Sequence, residues 1–301
     1  MSGRINQHYR YFLYQEEKNA AMLSLKLALD SSLNFSLKST IVNDNAMNFA
    51  LAELLAPASV RAEESFDDLM IPFRCLAADI FTQEEIVLRN GHLSEAIRAS
   101  FNVPLVFRPI KVNNKYLFDG GLYNNFPVNI ARQEFNPDVV IGVNVSSKTY
   151  TRYPYEQDEL LIANPLIYLL LSKSDSSQID SKGVYIQPKL NDYSVLDFSP
   201  VDTLLKAGYH EALSKMEEIK AKVCWEQPQG VLEKKRNSFR NQCQPLKINS
   251  VAISGLKPAP RRYVSRIFRL GPNDLNLENV KKRFFRLAES DKFDLLYPYF
   301  R

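Results

Sequence analysis

The chain has 301 residues, 45% of them hydrophobic, and three cysteines. That much apolar side chain can build a buried core, which excludes a disulfide-scaffold protein and a disordered chain. The net charge of +4 divides unevenly: residues 231–301 hold 16 Lys and Arg against 6 Asp and Glu, and residues 1–230 hold 22 against 28. This asymmetry predicts two modules with different surroundings.

The sequence offers no segment that would export the chain or carry it through a bilayer. The stretch Met1 to Arg10 lacks the apolar core of a secretory signal. The longest uncharged apolar run, Leu160 to Ser172, has 13 residues and contains Pro165. Because a membrane span needs about 20 residues, a buried helix is the better interpretation of this run.

The first sixty residues carry apolar side chains at helical intervals. The spacing predicts one helix from His8 to Leu29 and another from Asn45 to Leu55, with residues 56–59 ending the second. From Ile71 the periodicity becomes that of strands, predicted at residues 73–78 and 86–88. A turn at residues 82–85 joins these strands, and Ser94 caps a predicted helix that ends at Ser100.

One carboxylate stands out in the next stretch. The apolar run from Tyr116 to Phe118 predicts a strand, and Asp119 follows at its end, directly before Gly120-Gly121. Two glycines let the backbone take positive φ and approach a ligand or a neighbouring loop closely. Pro127 suits the first turn of the next helix, predicted at residues 128–135. The pattern therefore presents an acid in a cleft.

The middle of the chain alternates strands and helices. The near-continuous apolar run at residues 139–143 is typical of a strand covered on both faces, as in a parallel sheet. A helix is predicted at residues 155–171, a strand at 184–186 and a long helix at 201–223. This alternation predicts an α/β layered domain.

The C-terminal part follows a polar stretch, residues 227–245, that has prolines near both margins and is the best linker candidate. Beyond it the predicted order is a strand at residues 246–254, a helix at 261–268, a helix capped by Asn276, and a strand beginning at Lys292.

The residues from Glu95 to Val128, with the strings Ala-Ile-Arg-Ala-Ser and Phe-Asp-Gly-Gly-Leu-Tyr-Asn-Asn-Phe-Pro-Val, resemble the patatin-like phospholipases. The resemblance implies a three-layer α/β domain over residues 1–226 and assigns Asp119 as the aspartate of a Ser-Asp dyad. It also implies a phospholipid or other lipid ester as substrate, a membrane surface as partner, and no metal or organic cofactor. The N-terminal helices could contact lipid or be ordinary core helices.

Two further motifs of that family are missing from this sequence. The ten glycines include no pair four residues apart, so a Gly-x-Ser-x-Gly elbow for the nucleophile occurs nowhere. The only adjacent pair, Gly120-Gly121, leaves no Gly-rich oxyanion turn. We therefore expect a C-terminal portion of a patatin domain that is inactive alone, its serine lying outside these residues.

Residues 246–301 resemble, more loosely, a POTRA domain, the small α+β module that precedes outer-membrane barrels; its closing strand would lie beyond residue 301. The combination implies an outer-membrane barrel in the intact protein and a location at the outer membrane, cell surface or periplasm. The alternative is a non-catalytic patatin and POTRA scaffold used for binding or outer-membrane assembly.

Other chemistry is less well supported by the sequence. The three histidines, His8, His92 and His210, are far apart and lack metal-ligand spacing. Asp79 fits a turn acid, and Cys75 a small buried hydrophobe. The basic C-terminal segment lacks a recognisable nucleic-acid-binding module, so no nucleic-acid partner is expected.

Overall fold

The computed structural model describes the backbone at residues 24–29 and 35–40, and the chain in full at residues 44–104, 106–146, 176–190, 193, 200–223, 228, 230–271, 274–290, 292, 293 and 295–301. Helices and strands both occur, so the predicted α/β class is confirmed in its mixed α/β character. The helix predicted at residues 155–171 lies outside the described residues.

The first described elements are a hairpin. Strand β1 (Ser24–Leu29) pairs antiparallel with β2 (Phe35–Thr40), in a register that sets Leu27 opposite Leu37. The helix predicted up to Leu29 is therefore wrong over its last turns. The leucines at 25, 27 and 29 alternate with other residues, and a spacing of four fits both a helix and every second residue of a strand.

Helix α1 (Asn45–Arg61) begins where predicted and runs past the predicted end. Pro57 lies inside it and lacks the N–H that would donate to the carbonyl four residues earlier. The helix continues because its buried face continues: Ala56 and Ser59 extend the row that begins with Asn45, Asn48, Phe49 and Ala52.

A four-stranded sheet follows, in the order β4-β3-β6-β5. Its strands are β3 (Cys75–Asp79), β4 (Glu84–Leu88), β5 (Ile110–Val112) and β6 (Lys115–Asp119). All five residues of β3 are buried. Strands β5 and β6 form an antiparallel hairpin through Asn113-Asn114, both in the left-handed region with φ of 48° and 66°, which is the backbone of a tight two-residue hairpin turn.

Two short helices accompany this sheet, one between β4 and β5 in sequence and one after β6. Helix α2 (Leu93–Ser100) starts one residue early, with His92 at its N-cap, so the predicted cap at Ser94 is wrong. Helix α3 (Val128–Phe135) has the predicted bounds and follows Pro127 directly. It ends at Asn136, whose left-handed φ of 43° stops the helix.

Strands β7 (Ile141–Val143) and β8 (Val184–Ile186) form a parallel pair, as predicted. The prediction that β7 is covered on both faces is wrong, because Ile141 and Val143 are 44% and 52% exposed. The long helix predicted at residues 201–223 is broken at Lys215 into α4 (Val201–Ser214) and α5 (Met216–Lys222).

The C-terminal region differs most from expectation. Helix α6 (Val231–Gln242) occupies most of the predicted linker, and α7 (Pro258–Ile267) and α8 (Leu277–Glu289) follow. Residues 246–254, 292, 293 and 295–301 are not strand, so the described part contains the two helices of the POTRA-like pattern without its strands. Asn276 caps α8 as predicted, its side chain accepting from the N–H of Asn279 at 2.9 Å.

The apolar face of α8 explains where this region is anchored. Phe284 and Phe285 pack on Phe49 of α1, with ring centroids 5.1 and 5.7 Å from its ring. Lys281 adds an ion pair with Glu53 of α1 at 2.9 Å. These contacts make α8 part of the core around α1.

The chain divides into two compact units that interleave in sequence. Unit 1 comprises residues 1–77, 87–118 and 235–301, and unit 2 comprises residues 78–86 and 119–234. The predicted boundary at residues 227–245 stays a prediction. Of the described helices, none is long and apolar enough to span a membrane.

Candidate active site at the Asp119 turn

Asp119 is the last residue of β6 and the first residue of the longer segment of unit 2. Its Oδ1 accepts the N–H of Gly121 at 2.8 Å, and a single 3-10 turn, Gly120–Leu122, follows. The carbonyl of Gly120 accepts the N–H groups of Tyr123 and Asn124 at 3.1 and 2.9 Å. The carboxylate is thus held by the turn that it initiates.

The two glycines act differently from expectation. Neither Gly120 nor Gly121 has positive φ, so that part of the prediction is wrong. At Gly121 the close neighbours belong to the same turn, since an added Cβ would lie 2.8 Å from Oδ1 of Asn125 and 3.0 Å from Oδ1 of Asp119. The predicted approach to a ligand or a neighbouring loop stays a prediction. Any larger residue at position 121 would push against both side chains.

The electrostatic state of Asp119 follows from its surroundings. The side chain is half-buried, and this burial raises the pKa of the Asp119 carboxyl because removal from water penalises the charged form. The hydrogen bond from the N–H of Gly121 opposes the rise. Among described residues no cation forms an ion pair with it, so the carboxylate is a better proton acceptor than a solvated aspartate.

Polar side chains continue from this turn towards the ends of β7 and β8. Asn125 donates from Nδ2 to Oγ of Ser146 at 3.4 Å, and the N–H of Ser146 donates to Oδ1 of Asn144 at 2.8 Å. Asn144 in turn donates to the Tyr185 hydroxyl at 2.8 Å. In parallel sheets, ligand sites form beyond the carboxyl ends of the strands, and Asn144 and Ser146 lie just past the end of β7.

Sequence reasoning missed this group. The available signal was position: Asn144 and Ser146 directly follow an apolar run that was already predicted as a parallel strand. Tyr185 gave no signal, because only the pairing of Gly142 with Tyr185 across β7 and β8 brings it near Asn144.

An aromatic contact fastens the turn to the parallel strands within unit 2. Phe126 is buried, and its ring meets Tyr185 edge-on at 5.8 Å. A Cβ at Gly142 would lie 2.5 Å from the Phe126 ring, so only glycine leaves room for this contact.

A second polar cluster, in unit 1, lies around Arg98 of α2. Its guanidinium donates to Asp44 at 2.7 Å, to Asn48 at 3.0 Å and to Asn102 at 3.0 Å. Asn102 in turn donates to the carbonyl of Leu117 in β6 at 2.7 Å. This cluster fixes the backbone of β6 two residues before its end.

The other candidate residues have structural surroundings. The Asp79 carboxylate accepts the N–H groups of Phe81 and Thr82 at 3.1 and 3.3 Å, as a turn acid should. Burial raises the pKa of the Cys75 thiol to about 12, which fits the predicted small hydrophobe.

Metal and histidine chemistry lack support in the described part of the chain. His92 stacks on Tyr299 with ring centroids 4.2 Å apart, and its Nδ1 is 3.8 Å from Oε1 of Glu64. Among these residues no group of three or more His, Cys, Asp or Glu could hold a metal ion. His8 lies outside the described residues.

Comparison with known proteins found a family model and several relatives that match part of the chain. Residues 12–132 match the family model for patatin-like phospholipase, a range that includes the Asp119 turn. The chain is 27% identical over 161 residues to an uncharacterised NTE family protein of Mycobacterium tuberculosis strain H37Rv, which covers 45% of this chain and 27% of that protein.

Two further relatives carry names that describe an activity. The lysophospholipase NTE1 of Candida albicans is 24% identical over 195 residues, covering 57% of this chain and 14% of that protein. A probable lipid hydrolase of Invertebrate iridescent virus 6 is 36% identical over 78 residues, covering 24% of this chain and 26% of that protein.

Residues 12–132 are therefore similar to the patatin-like phospholipases, and the chain is similar to proteins named as NTE family members. The chain spans 27% of the length of the mycobacterial relative and 14% of the length of the fungal one. Neither the structure nor these comparisons support the POTRA-like module or the outer-membrane barrel partner.

Proposed function

We propose that this chain supplies the aspartate of a lipid acyl hydrolase, with Asp119 as the general base of a Ser-Asp dyad. The observation that carries the proposal is the carboxylate at the end of β6, half-buried, with a raised pKa and no ion-pair partner among the described residues. It lies in the range that matches the patatin-like phospholipases, and relatives named lysophospholipase and lipid hydrolase favour a lipid ester substrate.

A serine hydroxyl becomes a competent nucleophile only when a base takes its proton. In the proposed reaction the Asp119 carboxylate removes that proton as the serine oxygen attacks the ester carbonyl. The ester carbon–oxygen bond then breaks and the alcohol leaves with a proton. The acyl group stays on the serine as the acyl-enzyme. Water, activated by the same carboxylate, releases the fatty acid and frees the serine.

The serine itself is proposed to come from sequence outside these 301 residues. No two glycines in the chain lie four residues apart, so the elbow that presents such a serine is absent from it. The Asp119 turn would then be one half of a site, and the chain alone would not hydrolyse esters.

The test compares the 301-residue chain with a version extended by the sequence encoded upstream. In the extended protein, Asp119→Asn should lower kcat/KM for a lysophospholipid by about 10² to 10⁴, the range for loss of a general base. Asp138→Asn is the matched control, because Asp138 is exposed and belongs to the same unit. It should leave kcat/KM unchanged.

Labelling with a fluorophosphonate, which reacts with activated serines, separates the remaining outcomes. The 301-residue chain should not be labelled, and the extended protein should be labelled less when Asp119 is replaced. Hydrolysis by the 301-residue chain that depends on Asp119 would contradict the missing-serine proposal. An extended protein with an intact elbow and no activity on any lipid ester would favour the non-catalytic scaffold. The location at the outer membrane, cell surface or periplasm stays a prediction.

A further inference from the structure

The C-terminal part of unit 1 contains a long stretch with positive charge only. Between Glu233 and Asp274 the sequence has no acidic residue. From Lys235 to Arg269 it has nine basic residues, and every one of them is exposed. We call these nine the basic surface: Lys235, Arg236, Arg240, Lys247, Lys257, Arg261, Arg262, Arg266 and Arg269.

Helix α7 shows how part of this surface is arranged. Val264 is buried and points into unit 1, and Ile267 and Phe268 are partly buried beside it. Arg262 and Arg266 are four residues apart and lie along one side of the helix, and Arg269 follows two residues after the helix ends at Ile267. The helix is thus amphipathic, with an apolar inner side and an arginine-rich outer side.

The charge of this surface is not neutralised by the part of the chain that the structure describes. None of the nine side chains forms an ion pair or hydrogen bond with another described residue. Helix α8 is different, because Lys281 pairs with Glu53 at 2.9 Å and Lys282 with Glu278 at 2.7 Å. Nine exposed cations that repel one another destabilise the folded chain unless an external anion compensates them.

We propose that the basic surface docks the protein on an anionic phospholipid bilayer. Clusters of basic residues on an amphipathic helix are attracted by the negative surface potential of such bilayers, and each cation strengthens binding about fivefold. The inference rests on the proposed function, since a hydrolase of membrane lipids must reach its substrate at that surface. It names the lipid class, anionic headgroups, and the residues that contact it.

A nucleic acid is the other polyanion that this charge could attract. The bilayer is favoured because the matched range and the named relatives concern lipid hydrolysis, whereas no nucleic-acid-binding module is recognisable in the sequence. The three aromatic residues between Lys235 and Arg269, namely Phe239, Tyr263 and Phe268, are all partly buried, which leaves no exposed aromatic platform there for stacking bases.

The test measures binding of the 301-residue chain to vesicles of ether-linked phosphatidylcholine, with and without about one third ether-linked phosphatidylglycerol, in about 0.1 M salt. Ether lipids contain no ester to hydrolyse, so binding is read independently of any activity. We expect binding to the anionic vesicles only, weakened at least about tenfold by the triple variant Arg262→Gln, Arg266→Gln, Arg269→Gln. Circular dichroism checks that the variant is folded.

The matched control removes three exposed cations from unit 2: Lys182→Gln, Lys189→Gln and Lys206→Gln. It changes the net charge equally and should weaken vesicle binding less than about twofold if position matters more than total charge. The proposal is overturned if the two triple variants bind alike, if neutral and anionic vesicles bind equally, or if duplex or single-stranded nucleic acid binds more tightly than anionic vesicles at the same salt. Docking without hydrolysis by the extended protein would leave this inference standing and remove the proposed function.

Discussion

Asp44 and Asp119 are both shielded from water, but among the described residues only Asp44 has a cation beside it. Asp44 is 1% exposed and meets the Arg98 guanidinium at 2.7 Å, with Arg108 Nε 3.9 Å from its other oxygen. Asp119 is half-buried and has the N–H of Gly121 as its hydrogen-bond donor. A buried carboxylate with a cation is held charged for structure, whereas one without a cation keeps its affinity for a proton. Burial alone therefore does not distinguish a structural acid from a catalytic one.

The largest effect that would sharpen this contrast is the loss of Arg98. Arg98→Ala leaves the buried Asp44 side chain without its guanidinium partner, so the free energy of unfolding should fall by about 3–5 kcal/mol in urea titrations. Arg132→Ala is the control: that arginine pairs with Asp180 at 2.9 Å, with the two side chains 41% and 50% exposed. It should cost less than about 1 kcal/mol. Equal losses would mean that the Arg98 cluster is no more than a surface ion pair.

Glu95 of α2 lies between these extremes. Burial raises the pKa of its carboxyl to about 7, with Arg301 opposing and Glu64 adding to the rise. A raised pKa means that the folded state binds the proton more tightly, so Glu95 contributes stability below about pH 4.5 that is lost as the pH rises through 7.

Glu95→Gln should therefore remove the loss of stability that accompanies ionisation of the Glu95 carboxyl at high pH. Its stabilising effect relative to the native protein should be larger at pH 8 than at pH 4.5 by about 1–3 kcal/mol, since one pKa unit corresponds to about 1.4 kcal/mol. Urea titrations of both proteins at the two pH values measure the difference. A difference that is the same at both pH values would show that the Glu95 carboxyl titrates normally.

The smallest effect concerns the proton affinity of Asp119. Oδ1 of Asn125 and Oδ1 of Asp119 lie 2.8 and 3.0 Å from the position that a Cβ would take at Gly121. The two oxygens are therefore less than about 6 Å apart, a range in which like charges raise each other's pKa. Asn125→Asp should raise the pKa of the Asp119 carboxyl by on the order of one unit. Carboxyl carbon NMR of the 301-residue chain measures it, with the Asp119 signal assigned from Asp119→Asn.

The same shift should move the acidic limb of the kcat/KM profile of the extended protein to higher pH, since the base must be ionised. Asn129→Asp adds the same charge at an exposed position and should leave both measurements unchanged. If Asn129→Asp shifted the Asp119 signal as much as Asn125→Asp, the effect would come from net charge and not from proximity.

The sequence was informative where function depends on neighbours in the chain. Asp119, Gly121 and Pro127 form one local motif, and the structure places them as the last strand residue, a close-approach glycine and the residue before α3. Asn144 and Tyr185 come together through pairing of strands about forty residues apart, which no local pattern records.

The predictions of secondary structure were wrong where local preference competed with tertiary packing. Pro57 predicts a helix end, yet burial of Ala56 and Ser59 holds the helix to Arg61. The run at residues 246–254 has β-forming residues but is not strand in the described chain, because strand propensity alone provides no hydrogen-bonding partner. Here α7 and α8 supply the buried contacts of the region.

The hairpin of β5 and β6 also fixes the register of β6 through the length of its turn. Asn113 and Asn114, both left-handed, fix a two-residue reversal that sets Val112 opposite Lys115 and Ile110 opposite Leu117. Side chains alternate faces along a strand, so inserting or deleting one residue after this turn would send Leu117 outward and carry Asp119 to the opposite face. Substitutions that allow left-handed backbone, such as glycine, are compatible with the hairpin, whereas any change in its length is not. The two asparagines of the turn thus fix the register of the five residues of β6. This register decides from which face of the strand the Asp119 carboxylate projects.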